Sequence, residues 1–249
     1  MPTLTAIYAH PDDETFSAGG TLAKYSAAGV RCTLLVATDG DAGKTSGLSV
    51  SSKEELGQLR RAELHQAADI LGVAKVQCLG YPDGALGQVD QDDLIGHIVA
   101  HLRMERPDVV VTFAPEGAPN HHRDHKVISR AATAAYFLSG HPGEYQEWQL
   151  QGLMPHVPAR LFYVTWANPA PDSQMPAIGL PHSAAIDVRA FRARELTAWR
   201  AHASQQAMDK HFQESGATDD ELFALAAGVA QPRPVIQDLF EGLQAPGSR

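Results

Sequence analysis

The chain has 249 residues, 44% hydrophobic and 20% charged, with a formal net charge of −9. That composition supplies a sizeable globular core. The acidic balance, without a basic stripe, argues against a nucleic acid or an anionic membrane surface as partner, and no apolar run approaches the roughly 20 residues that span a bilayer.

No linker, repeat or low-complexity tract divides the sequence, so a single α/β domain over residues 1–249 is expected. No basic N-terminal stretch runs into an apolar one, which predicts no secretory signal. The two cysteines, Cys32 and Cys78, fall in apolar strand-like runs. Reduced core thiols and a cytoplasmic location follow as expectations.

In chain order, Leu4–Ala9 reads as a first strand and Ser17–Gly29 as a helix closed by glycine. Val30–Thr38 is a second strand, and Asp39–Ser52 a Gly/Ser-rich loop. A long helix follows, with Ser52 as cap, Glu55 at the capping-box position and an end near Gly72. "KVQCLG" is a third strand, Asp90–Glu105 a helix stopped before Pro107, and Asp108–Ala114 a fourth strand. A polar loop then leads into a helix with apolar positions Val127, Ile128, Ala131, Ala132 and Ala135. "RLFYVTWA" is a further strand. Residues 139–158 and 167–182 read as irregular, and Arg189–Gln206 and Asp219–Ala227 as helical.

Strands alternating with helices, each strand a continuous Val/Ile/Leu run, predict a mainly parallel sheet buried on both faces. The expected fold is therefore a Rossmann-like, doubly wound sheet in the order 3-2-1-4-5 with helices on both faces. That order places strands one and four side by side, where the direction of winding reverses and a crevice opens at their carboxyl ends.

Two polar clusters follow those two strands: His10-Pro11-Asp12-Asp13-Glu14 and "NHHRDH", Asn120–His125. Alone, each reads as a solvated turn. Facing each other across the crevice, they become a candidate metal site. Zinc takes imidazole nitrogen and carboxylate oxygen, and catalytic sites commonly combine three protein ligands with a water. One His and one Asp from the first cluster plus one His from the second would complete such a set.

"AHPDDE" (Ala9–Glu14) followed downstream by "HRDH" (His122–His125) resembles the LmbE/PIG-L family of zinc-dependent N-deacetylases. "RRAELHQAADILG", "LGYPDG" and "AHASQ" extend the likeness to Gln205. The resemblance implies removal of the acetyl group from a small N-acetylglucosamine conjugate. It implies His10, Asp13 and His125 as metal ligands and Asp12 as general base. His122 would stabilise the oxyanion or act as an acid, and Asp124 would orient or charge a histidine. Arg60 would reach the substrate. Asp83 and His202 are added as substrate residues, against the plainer readings of a Pro-Asp-Gly turn and a packed helix histidine. Many relatives have proline where this chain has Arg123, and some carry a tyrosine where it has Asn120.

The chemistry suits these groups. Zinc polarises an amide carbonyl and brings bound water to a pKa of roughly 7, and Fe(II) or Co(II) accept similar donors. A carboxylate beside the water takes its proton, and a nearby donor offsets the oxyanion.

Other acidic and basic residues have simpler readings. Asp39 and Asp41 serve as turn formers, Glu14 complements a helix start, Arg61 is solvated and His121 is loop. "HIVAH" has the i, i+4 histidine spacing of a zincin helix but carries Ile98 where glutamate is needed, and "GKTS" lacks the phosphate-loop context. The helices and loops after Ser139 offer a surface for a second subunit. Substrate choice rests with loops such as Gly43–Lys53 and Ser139–Pro158. Two rival readings stand beside the deacetylase. One is a metal-dependent hydrolase of another small-molecule amide, which a substrate panel would reveal. The other is a non-catalytic metal- or nucleotide-binding module, which tight nucleotide binding without metal would reveal; the chain lacks G-x-G-x-x-G at the first turn.

Overall fold

The N-terminal apolar run forms strand β1 (Thr3–Tyr8), in which every residue from Leu4 onward is buried, as two-sided packing of a parallel strand requires. A computed structural model describes residues 1–117, 119–167, 179–210, 212 and 219–243. Helix α1 (Asp13–Ala27) leads to β2 (Arg31–Thr38), α2 (Lys53–Leu71) to β3 (Lys75–Tyr81), and α3 (Gln91–Glu105) to β4 (Val109–Phe113). Helix α4 (Arg123–Leu138) and the short α5 (Gln146–Leu150) precede β5 (Arg160–Thr165). Then come β6 (Ala184–Asp187), α6 (Arg192–Ala201) and β7 (Asp220–Gly228).

The seven strands form one sheet in the order β3-β2-β1-β4-β5-β7-β6. Strands β1 to β5 are mutually parallel in the expected 3-2-1-4-5 order, and β7 and β6 extend the sheet with antiparallel pairings. Helices α1, α2 and α6 pack together, and α3 packs with α4. These groups lie on opposite faces, because the winding from β1 to β3 is reversed by the α3 crossover to β4. Local signals set several boundaries. Ser52 accepts from the Glu55 N–H at the start of α2, and Gly72 closes that helix at φ 82°. Asp90 caps α3 through the N–H groups of Asp92 and Asp93.

Three expectations are corrected. Asp219–Ala227 is not helical: it contributes to β7, which pairs with β5 from Arg160↔Gly228 to Thr165↔Leu222. Strand β5 is buried along its whole length, so its outer backbone groups needed partners, and that demand overrode the helix-forming Leu/Ala content. Arg189–Gln206 is not one helix: it breaks at His202 (φ −79°, ψ 63°) between α6 and a 3₁₀ run. The stretch 139–158 contains α5, while most of 167–182 lies outside the described residues.

Helix α1 carries a break at Ala18 (φ −156°, ψ 23°). There the N–H groups of Gly20 and Thr21 donate to Glu221 of β7, both at 2.8 Å. A Cβ on Gly20 would sit 2.6 Å from Val188 Cβ, so glycine alone permits this approach. Glu195 of α6 lies against the same stretch. Burial, and then the Glu221 carboxylate, push its carboxyl up to about 8, and burial raises Glu221 as well. A carboxyl raised on folding binds its proton more tightly in the native state. Its stabilisation is full below the ordinary carboxylate range and is lost as pH climbs through the native value. Stability should therefore decline from about pH 4.5 to about pH 8. Glu195→Gln should flatten that slope, so that Tm falls less between pH 5 and pH 8 than in the wild type, as scanning calorimetry can read.

Candidate metal centre and active site

The register between β1 and β4, Leu4↔Val109 to Ile7↔Thr112, brings their carboxyl ends side by side. His10 lies just beyond β1, Asp13 opens α1, and His122 caps α4, whose first turn carries Asp124 and His125. The rings of His10, His122 and His125 gather with centroids 4.8, 5.3 and 5.1 Å apart. One nitrogen of each lies within 4.8 Å of the others. Asp13 joins two of the rings: its Oδ2 is 3.3 Å from His10 Nδ1 and its Oδ1 3.2 Å from His125 Nε2. The His10 N–H donates to Asp13 Oδ2 at 2.8 Å, and His125 stacks on Phe113 at 4.0 Å.

Electrostatics follow from that proximity. Burial raises the Asp13 carboxyl, but His125 and His10 outweigh it and hold the group well below the usual carboxylate range. Burial lowers His10, but Asp13, with Asp124 and Asp83, lifts it well above the ordinary imidazole value. His122 is lowered, first by burial and then by its histidine neighbours. Its Nδ1 accepts the Asp124 N–H at 3.2 Å, which assigns the neutral ring's proton to Nε2. A cluster of imidazoles and one ionised carboxylate, with His10, Asp13 and His125 buried and His122 half-buried, is the donor set a divalent transition metal takes. The side chains present therefore fit such an ion: His10, His122 and His125 each bring a nitrogen to one place, and the Asp13 carboxylate lies between two of the rings.

Asp124 acts behind His10. Its Oδ2 lies 3.4 Å from His10 Nε2, and it accepts the N–H groups of Gly84 at 2.7 Å and Leu86 at 3.2 Å. Asp83 Oδ1 is 3.0 Å from the same nitrogen. These two carboxylates stand against the Nε2 side of the ring, where partners of a metal-bound imidazole sit.

Asp12 has a left-handed backbone, φ 109°, a conformation that costs a non-glycine residue about 1–3 kcal/mol. Its Oδ2 is 3.1 Å from Arg60 Nη2. Arg60 also donates to the carbonyls of Gly40 and Pro11. Gly40, at φ 68°, has no Cβ to collide with that guanidinium. Arg60 thus lines the cavity with its charge committed to Asp12. Burial raises Asp12 to about 6, with Arg60 opposing.

The side chains of His10, Asp12, Asp13, Arg60, Asp83, His122 and His125 open onto one cavity of about 430 Å³, which Phe16, Trp199, Met208, Lys44, Asn120 and Gln205 also line. That volume suits a small ligand. Asp124 and His202 are fully buried and stay behind the wall. His202 was expected to touch substrate; instead its Nε2 lies 2.8 Å from Glu14 Oε1, because the break after α6 turns the ring inward. The aromatic wall escaped sequence reading. Phe16 and Trp199 meet with centroids 6.2 Å apart, and the available hints were helical spacing alone: Phe16 one turn after Asp13, Trp199 one turn before His202. Elsewhere the polar residues have partners of their own. Asp39 pairs with Arg61, Asp41 accepts the Asp83 N–H, His97 meets Tyr81 Oη at 2.9 Å and His101 meets Gln77 at 2.8 Å.

A doubly wound sheet with imidazoles and a carboxylate at its switch point, and a second carboxylate beside them paired with Arg60, fits a metal-binding hydrolase of the α/β class. Residues 5–136 match the family of GlcNAc-PI de-N-acetylases, PIG-L, and the chain belongs to that family of deacetylases, whose members are metal-dependent. It is 32% identical to the 1D-myo-inositol 2-acetamido-2-deoxy-alpha-D-glucopyranoside deacetylase of Rhodococcus erythropolis, over 97% of this chain and 98% of the relative. It is also 32% identical to the Geodermatophilus obscurus enzyme of the same name, over 84% of each. The fold is shared with N,N'-diacetylchitobiose deacetylase from Pyrococcus horikoshii, at TM-score 0.75 and 24% identity over 90% of this chain and 83% of that one. It is shared too with a conserved Thermus thermophilus protein, at TM-score 0.71 and 26% identity over 92% and 97%.

Proposed function

We infer that this deacetylase hydrolyses the N-acetyl group of a small N-acetylglucosamine conjugate, uses zinc, and works in the cytoplasm. The observation that carries the reading is the Asp12 carboxylate, free of helix capping and turned into the cavity beside His10, Asp13 and His125. The relatives' names supply the sugar, and the donor set suits zinc, with Fe(II) or Co(II) as alternatives of similar preference. Both cysteines are free, and no helix among the described residues is long and apolar enough to cross a membrane.

When bound, the metal would polarise the amide carbonyl and acidify a water. Asp12 takes the proton from that water as its oxygen adds to the carbonyl carbon. His122, with Nδ1 tied to the Asp124 amide, offers Nε2–H to the oxygen that gains negative charge. Collapse of the tetrahedral species breaks the C–N bond, and Asp12 returns its proton to the departing amine. Acetate and a free 2-amino sugar result.

The test is release of acetate from a panel holding an N-acetylglucosaminyl inositol, N,N'-diacetylchitobiose and simple acetamides. Turnover of at least one sugar conjugate with kcat/KM above 10-fold that of the simple amides is expected, since remote binding energy contributes to the rate. Equal turnover of all of them would point to a general amidase.

A further inference from the structure

An aspartate at a helix N-terminus ordinarily turns its carboxylate back onto the N–H groups of the first turn. Asp12 holds the N-cap position of α1 and makes no such bond. Its own N–H is held instead by Glu14 Oε2 at 3.0 Å, while its carbonyl accepts the N–H groups of Thr15 and Phe16 at 3.1 and 3.0 Å. The other Glu14 oxygen, Oε1, accepts Thr15 Oγ1–H at 2.6 Å and lies 2.8 Å from His202 Nε2. Glu14 and His202 are both fully buried, stand 188 residues apart, and are absent from the cavity wall.

His202 reaches Glu14 because the chain breaks at that residue. Its N–H returns to the Trp199 carbonyl at 3.0 Å, and the following run is tied to α2 by Glu63, which accepts the Ser204 N–H at 2.8 Å and Oγ–H at 2.6 Å. The break therefore has an anchor on each side and directs one imidazole donor onto one carboxylate.

We propose that Glu14 and His202 are positioning residues for the base. His202 Nε2–H fixes Glu14, and Glu14 fixes the Asp12 amide, so that the left-handed backbone presents the Asp12 carboxylate to the reacting water instead of to its own helix. This rests on Asp12 being the base, and the experiment separates the two claims.

Glu14→Gln, His202→Leu and His202→Gln are compared with Asp12→Asn in the metal-loaded enzyme, reading kcat, KM, metal stoichiometry and Tm. Gln places an amide N–H the same number of bonds from Cα as imidazole Nε2, so it restores the donor. Glu14→Gln and His202→Leu should lower kcat roughly 10- to 100-fold, the effect of a displaced catalytic group. KM should stay within about threefold and metal content should be unchanged. His202→Gln should recover most of the loss. A crystal structure of either impaired variant should show Asp12 out of the positive-φ region with His10, Asp13 and His125 in place. A kcat equal to wild type in both variants, or a raised KM at unchanged kcat, overturns the proposal. If His202→Leu does not fold, Glu14→Gln, a change of one atom, decides alone. Full activity in Asp12→Asn would instead overturn the assignment of the base.

Discussion

Replacing Asp12 by asparagine should lower kcat by about 10²- to 10⁴-fold, the usual contribution of a general base, with metal content and Tm close to wild type. Asparagine is the informative substitution because of the backbone. Asp12 sits at φ 109°, where asparagine is among the few tolerated side chains; alanine would add strain to the chemical loss. The buried Arg60 loses a charged partner in the variant but keeps the Gly40 and Pro11 carbonyls, so the guanidinium stays hydrogen-bonded. Asp12 is also separable from the ligand set. Asp13, its sequence neighbour, is the residue that touches His10 and His125, whereas Asp12 faces Arg60. One left-handed residue thus turns the two adjacent carboxylates toward different partners. The measurement is single-turnover acetate release beside metal analysis of the same sample. Activity within twofold of wild type would remove Asp12 from the mechanism.

Legibility in the sequence followed the range of the forces involved. The parallel core of the sheet is written locally: each strand from β1 to β5 is an apolar run, and Ser52, Gly72 and Asp90 punctuate the helices through bonds to their own first or last turn. The location of the site was legible too, since topology sends the residues following β1 and β4 to one crevice. What stayed hidden depends on distant partners. Strand β7 is a strand because β5 needed its outer edge satisfied. The stop at His202 goes with partners far along the chain, Glu14 for its ring and Glu63 for the Ser204 that follows, and nothing in "WRAHASQQAM" breaks a helix by itself. The kink at Ala18 is bound up with Glu221 of β7, some 200 residues on. Arg60 was read as a substrate contact from its motif position, yet its nearest charge belongs to Asp12. A motif gives membership of a site; the geometry decides which member faces which.

Removing the metal should abolish turnover, and restoring it should raise Tm, with both effects running through Asp13. A ligand that binds only the native state stabilises it by about 2.7 kcal/mol at 100 times its Kd. For a chain of this size that is a rise of roughly 5–10 °C over the chelator-stripped protein. Asp13→Asn should eliminate the rise. The amide cannot supply the negative charge that His10 and His125 flank at 3.3 and 3.2 Å, and a neutral, weaker donor replaces a carboxylate that touches both rings. Asp124→Asn should behave differently. It leaves the ligand atoms intact but loosens the ring of His10 from behind, where Asp124 Oδ2 is 3.4 Å from Nε2 and is itself held by the Gly84 amide. Losses of about 10- to 100-fold in metal affinity are typical of such partners, so the Tm rise should return when metal is increased in proportion. Titration calorimetry with zinc on the two variants separates these cases. A full Tm response in Asp13→Asn at low metal would mean that the ion is held by His10, His122 and His125 without the carboxylate, and the ligand assignment would have to be redrawn around the three imidazoles.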